Sequence, residues 1–307
     1  MSPLLPPPSS ASPGAPEPLY DLRTFFHNVG HFSAQHALLS TTAERLMPEV
    51  PAELLDEDVS VVDSERLEPK AFVDGIQASI CVTHRSHRPV YLNYVAAGAL
   101  GPGSKPVGLL EKLSIVCSSL DREWVDSLGS GIPVDELPHE SPPSLENLGV
   151  HLLSSERERL ERALVESLVA SKLTPVVCDG SLLARPYHPE LVGVVKTTST
   201  RYLADESCLY RLPAGSRSPR FKLPGGRSGS PRYSAYLRLV DASTSAWDFG
   251  LIRLEAFDPE LLDPLAALCL SERQNIASGD ARWDRHLTSV HACEEFLRAR
   301  RPAVYSL

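Results

Sequence analysis

The sequence predicts an α/β domain built on a mixed sheet flanked by helices, preceded by a disordered, Pro-rich N-terminal tail. Three observations carry this reading. Residues 1–18 are mostly Pro, Ser, Ala and Gly, and such a segment buries too little apolar surface to offset its ordering entropy. Strand-like runs cluster first, from Ala71 onward, and strands and helices are mixed thereafter. The chain has 307 residues, 42% hydrophobic and 22% charged, enough apolar material for a sizeable core.

Three segments are expected: the tail over 1–18, a helical arm over 19–69, and a main domain over 70–307. In the arm, Leu22, Phe25, Phe26, Val29 and Phe32 lie on roughly one side of a helix running from Tyr20 to Met47, which Pro48 and Pro51 end. An acidic stretch follows from Glu53 to Glu68. Three strand-like runs come next: Ala71 to Gly75, Ala78 to Val82 and Val90 to Val95. Turn-prone residues separate the last two, as in an antiparallel meander. Ser130 to Asn147 is rich in Pro, Gly and Ser and is expected to be a loop. A helix capped by Ser154 or Ser155 is predicted through Lys172, with a capping-box spacing at Ser155 and Glu158 and an apolar stripe of Leu160, Leu164 and Leu168. Pro175 to Cys178 reads as a short buried strand, and Pro189 to Tyr202 as helix-like. Strands are expected at Tyr233–Val240 and Phe249–Phe257, and helices at Pro259–Leu270 and Thr288–Arg300.

No run of about 18 apolar residues marks a membrane span, and the N-terminus lacks the pattern of a secretory signal. The six cysteines are scattered and show no zinc-site spacing. Buried thiols in a reducing cytoplasm are the expectation. The formal net charge of −9 is unusual for a nucleic-acid-binding protein, but charge is unevenly distributed. Leu209 to Val240 contains no Asp or Glu and carries Arg211, Arg217, Arg220, Lys222, Arg227, Arg232 and Arg238. These residues are candidates for a groove that follows a phosphate backbone; a solvated loop with incidental charge has the same composition.

Chemistry is carried first by two Asp-Gly pairs, each following an apolar strand: Asp74-Gly75 after Phe72-Val73, and Asp179-Gly180 after Val176-Val177-Cys178. Carboxylates leaving neighbouring buried strands at one end of a sheet could converge on a divalent cation, although Asp-Gly is also a common turn pair. Mg²⁺ and Mn²⁺ prefer oxygen ligands and keep positions open for water and phosphate, which suits phosphodiester hydrolysis. A third carboxylate is sought on the helix before the second aspartate. Glu161, at the edge of the apolar stripe, ranks first and Glu158 second. Lys196 ends an apolar run and could hold a phosphate as a point charge, or simply extend along the surface. His291, early in the last helix, is a candidate proton carrier or a structural histidine.

The order of these motifs resembles the NurA family of DNA end-processing nucleases over roughly residues 70–300. The matching stretches are Val73-Asp74-Gly75, Arg157 with Glu161, Asp179-Gly180-Ser181-Leu182, Gly193 to Lys196, Arg253 with Glu255, and Val290-His291. The resemblance implies an RNase H-like core, Mn²⁺ (or Mg²⁺) bound by Asp74, Glu161 and Asp179, and a supporting role for His291. It also implies a homodimer around a DNA channel and a HerA-type hexameric ATPase as partner. A family aromatic residue about two helical turns before the histidine, commonly Tyr, has Trp283 as its nearest counterpart, and Trp supplies no phenolic hydroxyl.

A metal-dependent DNA nuclease is therefore the expected activity. A catalytically inactive subunit of the same fold, binding DNA or docking the ATPase, is the alternative. An actin-like ATPase would require Gly-rich phosphate loops. Only Pro224-Gly225-Gly226 is Gly-rich, and no helix signal follows it.

Overall fold

The computed structural model describes Phe25, Asn28, Val29 and residues 52–138, 142–196, 200, 202–224, 229–241, 247–273 and 285–306. The tail over 1–18, Arg227 and Trp283 lie outside these residues, as does most of the helix expected from Tyr20 to Met47. Of that helix, Phe25 is buried and helical, and Asn28 Nδ2 donates to the Leu128 carbonyl at 3.0 Å.

The described residues form a mixed α/β fold around one twelve-stranded sheet. Its strands are β1 (Glu53–Leu54), β2 (Ser60–Val61), β3 (Ala71–Arg85), β4 (Arg88–Gly101), β5 (Lys105–Ser118), β6 (Val134–Leu137), β7 (Val176–Asp179), β8 (Leu191–Val195), β9 (Ser216–Arg217), β10 (Phe221–Leu223), β11 (Arg232–Arg238) and β12 (Leu251–Ala256). The helices are α1 (Arg122–Ser127), α2 (Pro142–Ala170), α3 (Ser207–Tyr210), α4 (Leu262–Glu272) and α5 (Thr288–Arg300). The spatial order is β1-β10-β11-β12-β8-β7-β3-β4-β5-β6, with β2 and β9 added beside β11.

The centre of the sheet is an antiparallel meander, β3-β4-β5, joined through β3 to the parallel strands β7 and β8. Alternation along each strand sorts the core into two layers. Val73, Val176 and Cys178 pack under α2 with Leu160, Leu164 and Leu168. Phe72, Val177 and Val194 face the other way, toward Leu262, Leu265 and Leu268 of α4 and Val290 of α5.

Several sequence expectations are corrected here. The two runs at Ala71–Gly75 and Ala78–Val82 are one strand of 15 residues, and β5, with no counterpart in the sequence reading, pairs along β4. The arm expected over 19–69 does not stay helical to its end. Residues 52–69 include β1 and β2, which pair with β10 and β9 and belong to the main sheet. The loop expected over Ser130–Asn147 contains β6 and the first turns of α2. Ser155 is therefore mid-helix and caps nothing. Leu145 extends the helix to this point, since it is buried against Tyr91, Val116 and Leu137. Tertiary packing outweighs the Pro/Ser composition that reads locally as loop. Pro189–Tyr202 contains β8 rather than a helix. Its Val-rich run is inserted between β7 and β12, where β-branched residues are buried on both faces of the sheet.

Leu145 distinguishes the two versions of α2. Leu145→Ala is expected to lower stability by about 2–5 kcal/mol, as for a fully packed core leucine, with urea unfolding as the readout. A loop leucine would cost under about 0.5 kcal/mol.

Candidate metal centre

Parallel pairing of β3 with β7 brings the two predicted aspartates together. The paired residues run Ala71–Val176, Phe72–Val177 and Val73–Cys178, so Asp74 and Asp179 stand beside each other one step further on. Parallel neighbours are about 4.8 Å apart. Both aspartates fall on the sheet face of Phe72 and Val177, and β7 ends at Asp179. From Gly75 onward, β3 has lost its β7 neighbour and presents an open edge on that side.

The two Asp-Gly pairs are structurally different. Gly180 has a φ of +99° and makes a true turn, its amide donating to the Val194 carbonyl at 2.7 Å. Gly75 sits inside a strand, and its value lies in having no side chain. A Cβ at this position would fall 2.0 Å from Glu161 Oε1. Glu161, on α2, thus lays its carboxylate directly against the residue after Asp74, from the sheet face opposite to the aspartates. The three acidic side chains stand around one short stretch of β3.

Their electrostatics are unequal. Asp74 is 8% exposed, and its carboxyl is pushed up to about 7. Burial is the main cause; Asp179 raises it further, and Glu161 adds a smaller push, while Lys196 and the Gly75 amide act in the opposite sense. Gly75 N donates to Asp74 Oδ1 at 2.7 Å. Lys196, just beyond β8, places Nζ 2.9 Å from Asp179 Oδ2. Glu161 is 2% exposed at its side chain and is gripped twice: Arg157 Nη1 donates to Oε1 at 2.8 Å, and Arg185 Nη2 donates to Oε2.

This arrangement defines what the donors could hold. Asp74 and Asp179 supply adjacent hard oxygens of the kind Mg²⁺ or Mn²⁺ takes, often with only one or two carboxylates. The orphaned charge demand of Asp74, crowded by a second carboxylate, is what a cation would relieve. Both oxygens of Glu161, expected as the third ligand, are engaged by arginines on the other side of β3. No cluster of three or more His, Cys, Asp or Glu arranged to hold a metal occurs among the described residues.

The remaining candidates separate. Glu158 lies on α2 half-buried, one turn from Glu161, and the contact to Gly75 belongs to Glu161. His291 stacks on His286, with ring centroids 5.2 Å apart. It is Cys293, two residues on, that feels the charges of Asp74 and Asp179; burial, with those charges, pushes its thiol up to about 12.

The basic residues expected to track phosphate do not form one open stripe. Arg217 is 5% exposed and paired with Asp263 and Asp56. Arg220 pairs with Asp56 at 2.7 Å, and Lys222 lies 3.5 Å from Glu53. Arg232 is buried against Glu255 at 2.9 Å, and Arg238 is buried against the carbonyls of Leu209, Phe249 and Trp247. Arg211 is exposed at the end of α3. The acidic stretch from Glu53, read in the sequence as a separate arm, folds back and neutralises part of the stripe.

The sequence marks Arg253 with Glu255 only as a motif match and does not reveal that Glu255 clamps the second aspartate's turn. Glu255 of β12 is fully buried and accepts from Ser181 Oγ at 3.0 Å, Leu182 N at 2.8 Å, Arg232 Nη1 at 2.9 Å and Arg253 Nη1 at 2.6 Å. It anchors the Asp179-Gly180-Ser181-Leu182 turn to the sheet. Arg185 was missed as well. Its only sequence signal is a charge set within the otherwise apolar Leu182-Leu183-Ala184 and Pro186-Tyr187 surroundings.

Taken together, fold and site define a mixed α/β protein with two aspartates side by side near the sheet centre, one within β3 and one at the end of β7. No known family model matches the chain, and comparison with curated proteins finds no match.

The raised Asp74 carboxyl carries a pH prediction. Its folded value of about 7 lies well above the 3.8 of a free aspartate. The native state therefore holds a proton that the unfolded chain releases as pH rises between these values. Stability from this source is full below about pH 4 and is lost as pH rises through 7, by on the order of a few kcal/mol. Asp74→Asn, which keeps the shape but cannot ionise, is expected to flatten the profile of stability against pH in metal-free buffer. Gly75→Ala is expected to destabilise the fold by about 1–3 kcal/mol by displacing Glu161, measured by thermal unfolding.

Proposed function

We propose that this protein is a metal-dependent DNA nuclease of the NurA kind, with Mn²⁺ or Mg²⁺ held by Asp74 and Asp179. The observation that carries the reading is the delivery of these two aspartates, distant in sequence, to adjacent positions on parallel strands. The strand order β5-β4-β3-β7-β8, an antiparallel meander followed by two parallel strands, supports an RNase H-like core. The motif order in the sequence supplies the family.

When bound, the ion would activate water and neutralise charge on the phosphate and on the leaving oxygen. The chain's own groups prepare for this. Asp74, buried beside Asp179, gains most from a cation. Lys196 balances Asp179 at 2.9 Å and offers a point charge for a phosphate oxygen beside it. Glu255 keeps the Asp179 turn rigid through Ser181 and Leu182. His291 is retained as a supporting group. The family reading brings a homodimer, a HerA-type hexameric ATPase that feeds DNA, and a cytoplasmic setting. Six free cysteines suit a reducing compartment. No helix among the described residues is long and apolar enough to cross a membrane.

A second reading, a catalytically inactive subunit that binds DNA or docks the ATPase, is favoured by one observation. Glu161 is tied to Arg157 and Arg185 and contributes no free oxygen to the aspartates.

Labelled single- and double-stranded DNA, incubated with Mn²⁺, separates the two. Cleavage by the wild-type chain is expected, reduced by more than about a hundredfold in Asp179→Ala, since groups that merely orient a ligand are worth about 10–100-fold. Retained folding of the variant is checked by circular dichroism. DNA binding without cleavage under either metal would favour the inactive subunit.

A further inference from the structure

We propose that Arg185 is a positioning residue that competes with the metal ion for Glu161, so that the third carboxylate joins the centre only when this contact is given up. The inference rests on the reading of Asp74 and Asp179 as a metal centre.

Glu161 is buried, with 2% of its side chain exposed, and Arg185 beside it is 6% exposed. A buried carboxylate requires a counter-charge, and in the absence of a cation the arginines supply it. Arg157 is the looser of the two. It is 31% exposed and is shared with Gln77, whose Oε1 accepts from its Nε at 3.1 Å. Arg185 is the inner grip, and Oε2 is the oxygen it holds.

Two features distinguish this pair from a finished structural salt bridge. First, Arg185 makes poor use of its donors. Its Nε and Nη1 are buried and meet no acceptor among the described residues, and only Nη2 reaches Glu161. Guanidinium groups are stabilised by using two edges of the planar fork, as the partly exposed Arg88 does on Asp121 through Nε and Nη2, each at 2.7 Å, and the buried Arg232 and Arg238 leave only Nε without an acceptor among the described residues. Second, Glu161 is not parked at a distance. It lies on Gly75, a position that any side chain would obstruct, beside Asp74 and at the open edge of β3 where β7 has ended. Strand alternation places it on the face opposite the two aspartates, and the edge of β3 beyond its pairing with β7 is where carboxylates from both faces could approach a shared ion. The three carboxylates together would over-concentrate negative charge without a cation. Arg185 and Arg157 solve that for the metal-free protein, and Arg185 thereby sets the cost of recruiting Glu161.

The competition predicts a sign opposite to that of a structural role. Arg185→Met leaves Glu161 as an uncompensated buried charge, so the metal-free protein should melt at lower temperature while Mn²⁺ binds more tightly, by about tenfold. Binding is measured by calorimetry with MnCl₂ alone, and melting with and without MnCl₂. Arg185→Lys, which keeps a charge but not the fork, should tighten binding by less. Should Arg185→Met fail to fold, Arg157→Leu on the exposed side serves as the second variant, with a smaller gain. Glu161→Gln in the Arg185→Met background should abolish the gain. Unchanged or weaker Mn²⁺ affinity in the arginine variants, with wild-type binding that depends on Asp179, overturns the proposal and leaves the metal centre standing. Absence of Asp179-dependent binding in wild type and variants alike overturns both.

Discussion

Two carboxylates forced together inside a protein are the constraint on which this structure turns. The parallel register of β3 and β7 places Asp74 next to Asp179, and burial denies Asp74 the water that would otherwise stabilise its charge. Such a pair is unfavourable unless something positive stands nearby or a proton stays on. Lys196 answers part of that demand at Asp179, and the raised Asp74 carboxyl shows the part left unanswered. A buried pair of this kind adds no stability by itself, and the proposed cation would supply the missing counter-charge.

The surroundings are built to hold the pair in place. Glu255 bonds to Ser181 and Leu182 and is itself neutralised by Arg232 and Arg253, so the turn carrying Asp179 hangs from a buried ionic network rather than from a mobile loop. Gly193 on β8 leaves room for that turn, since a Cβ there would meet the Gly180 carbonyl at 2.7 Å. On the opposite face, α2 brings Glu161 to Gly75 with its own arginines in attendance. The site thus has one rigid acidic pair and one acidic group under separate control.

Charge balance recurs across the molecule. The basic segment from Arg211 to Arg238 is largely consumed internally: Asp56 and Asp263 take Arg217, Asp56 takes Arg220, and Glu255 takes Arg232. Long-range ion pairs convert a linear basic run into a tie between the N-terminal strands and the sheet. The proposed DNA track would draw on other basic groups in addition to Arg211.

The sequence alone determined the elements whose signal is local. The apolar strand ending in Asp-Gly at 179, an apolar strand carrying Asp74, the stripe of Leu160, Leu164 and Leu168 and the last two helices all follow from periodicity of two or 3.6 residues, and the structure has these elements in place, although the strand expected to end at Asp74-Gly75 runs on to Arg85. What depended on partners distant along the chain was not legible. β5 forms because β4 lies beside it, α2 begins at Pro142 because Leu145 finds Tyr91 and Val116, and Val192 to Val195 become strand because β7 and β12 flank them. The same holds for charge: a run of arginines looks free until the carboxylates that meet it are folded back. Only the tertiary structure could place Glu161 on the far face of β3 and give it to Arg185, because neither strand alternation across a sheet nor a counter-ion 24 residues away is written in the spacing of the motif itself.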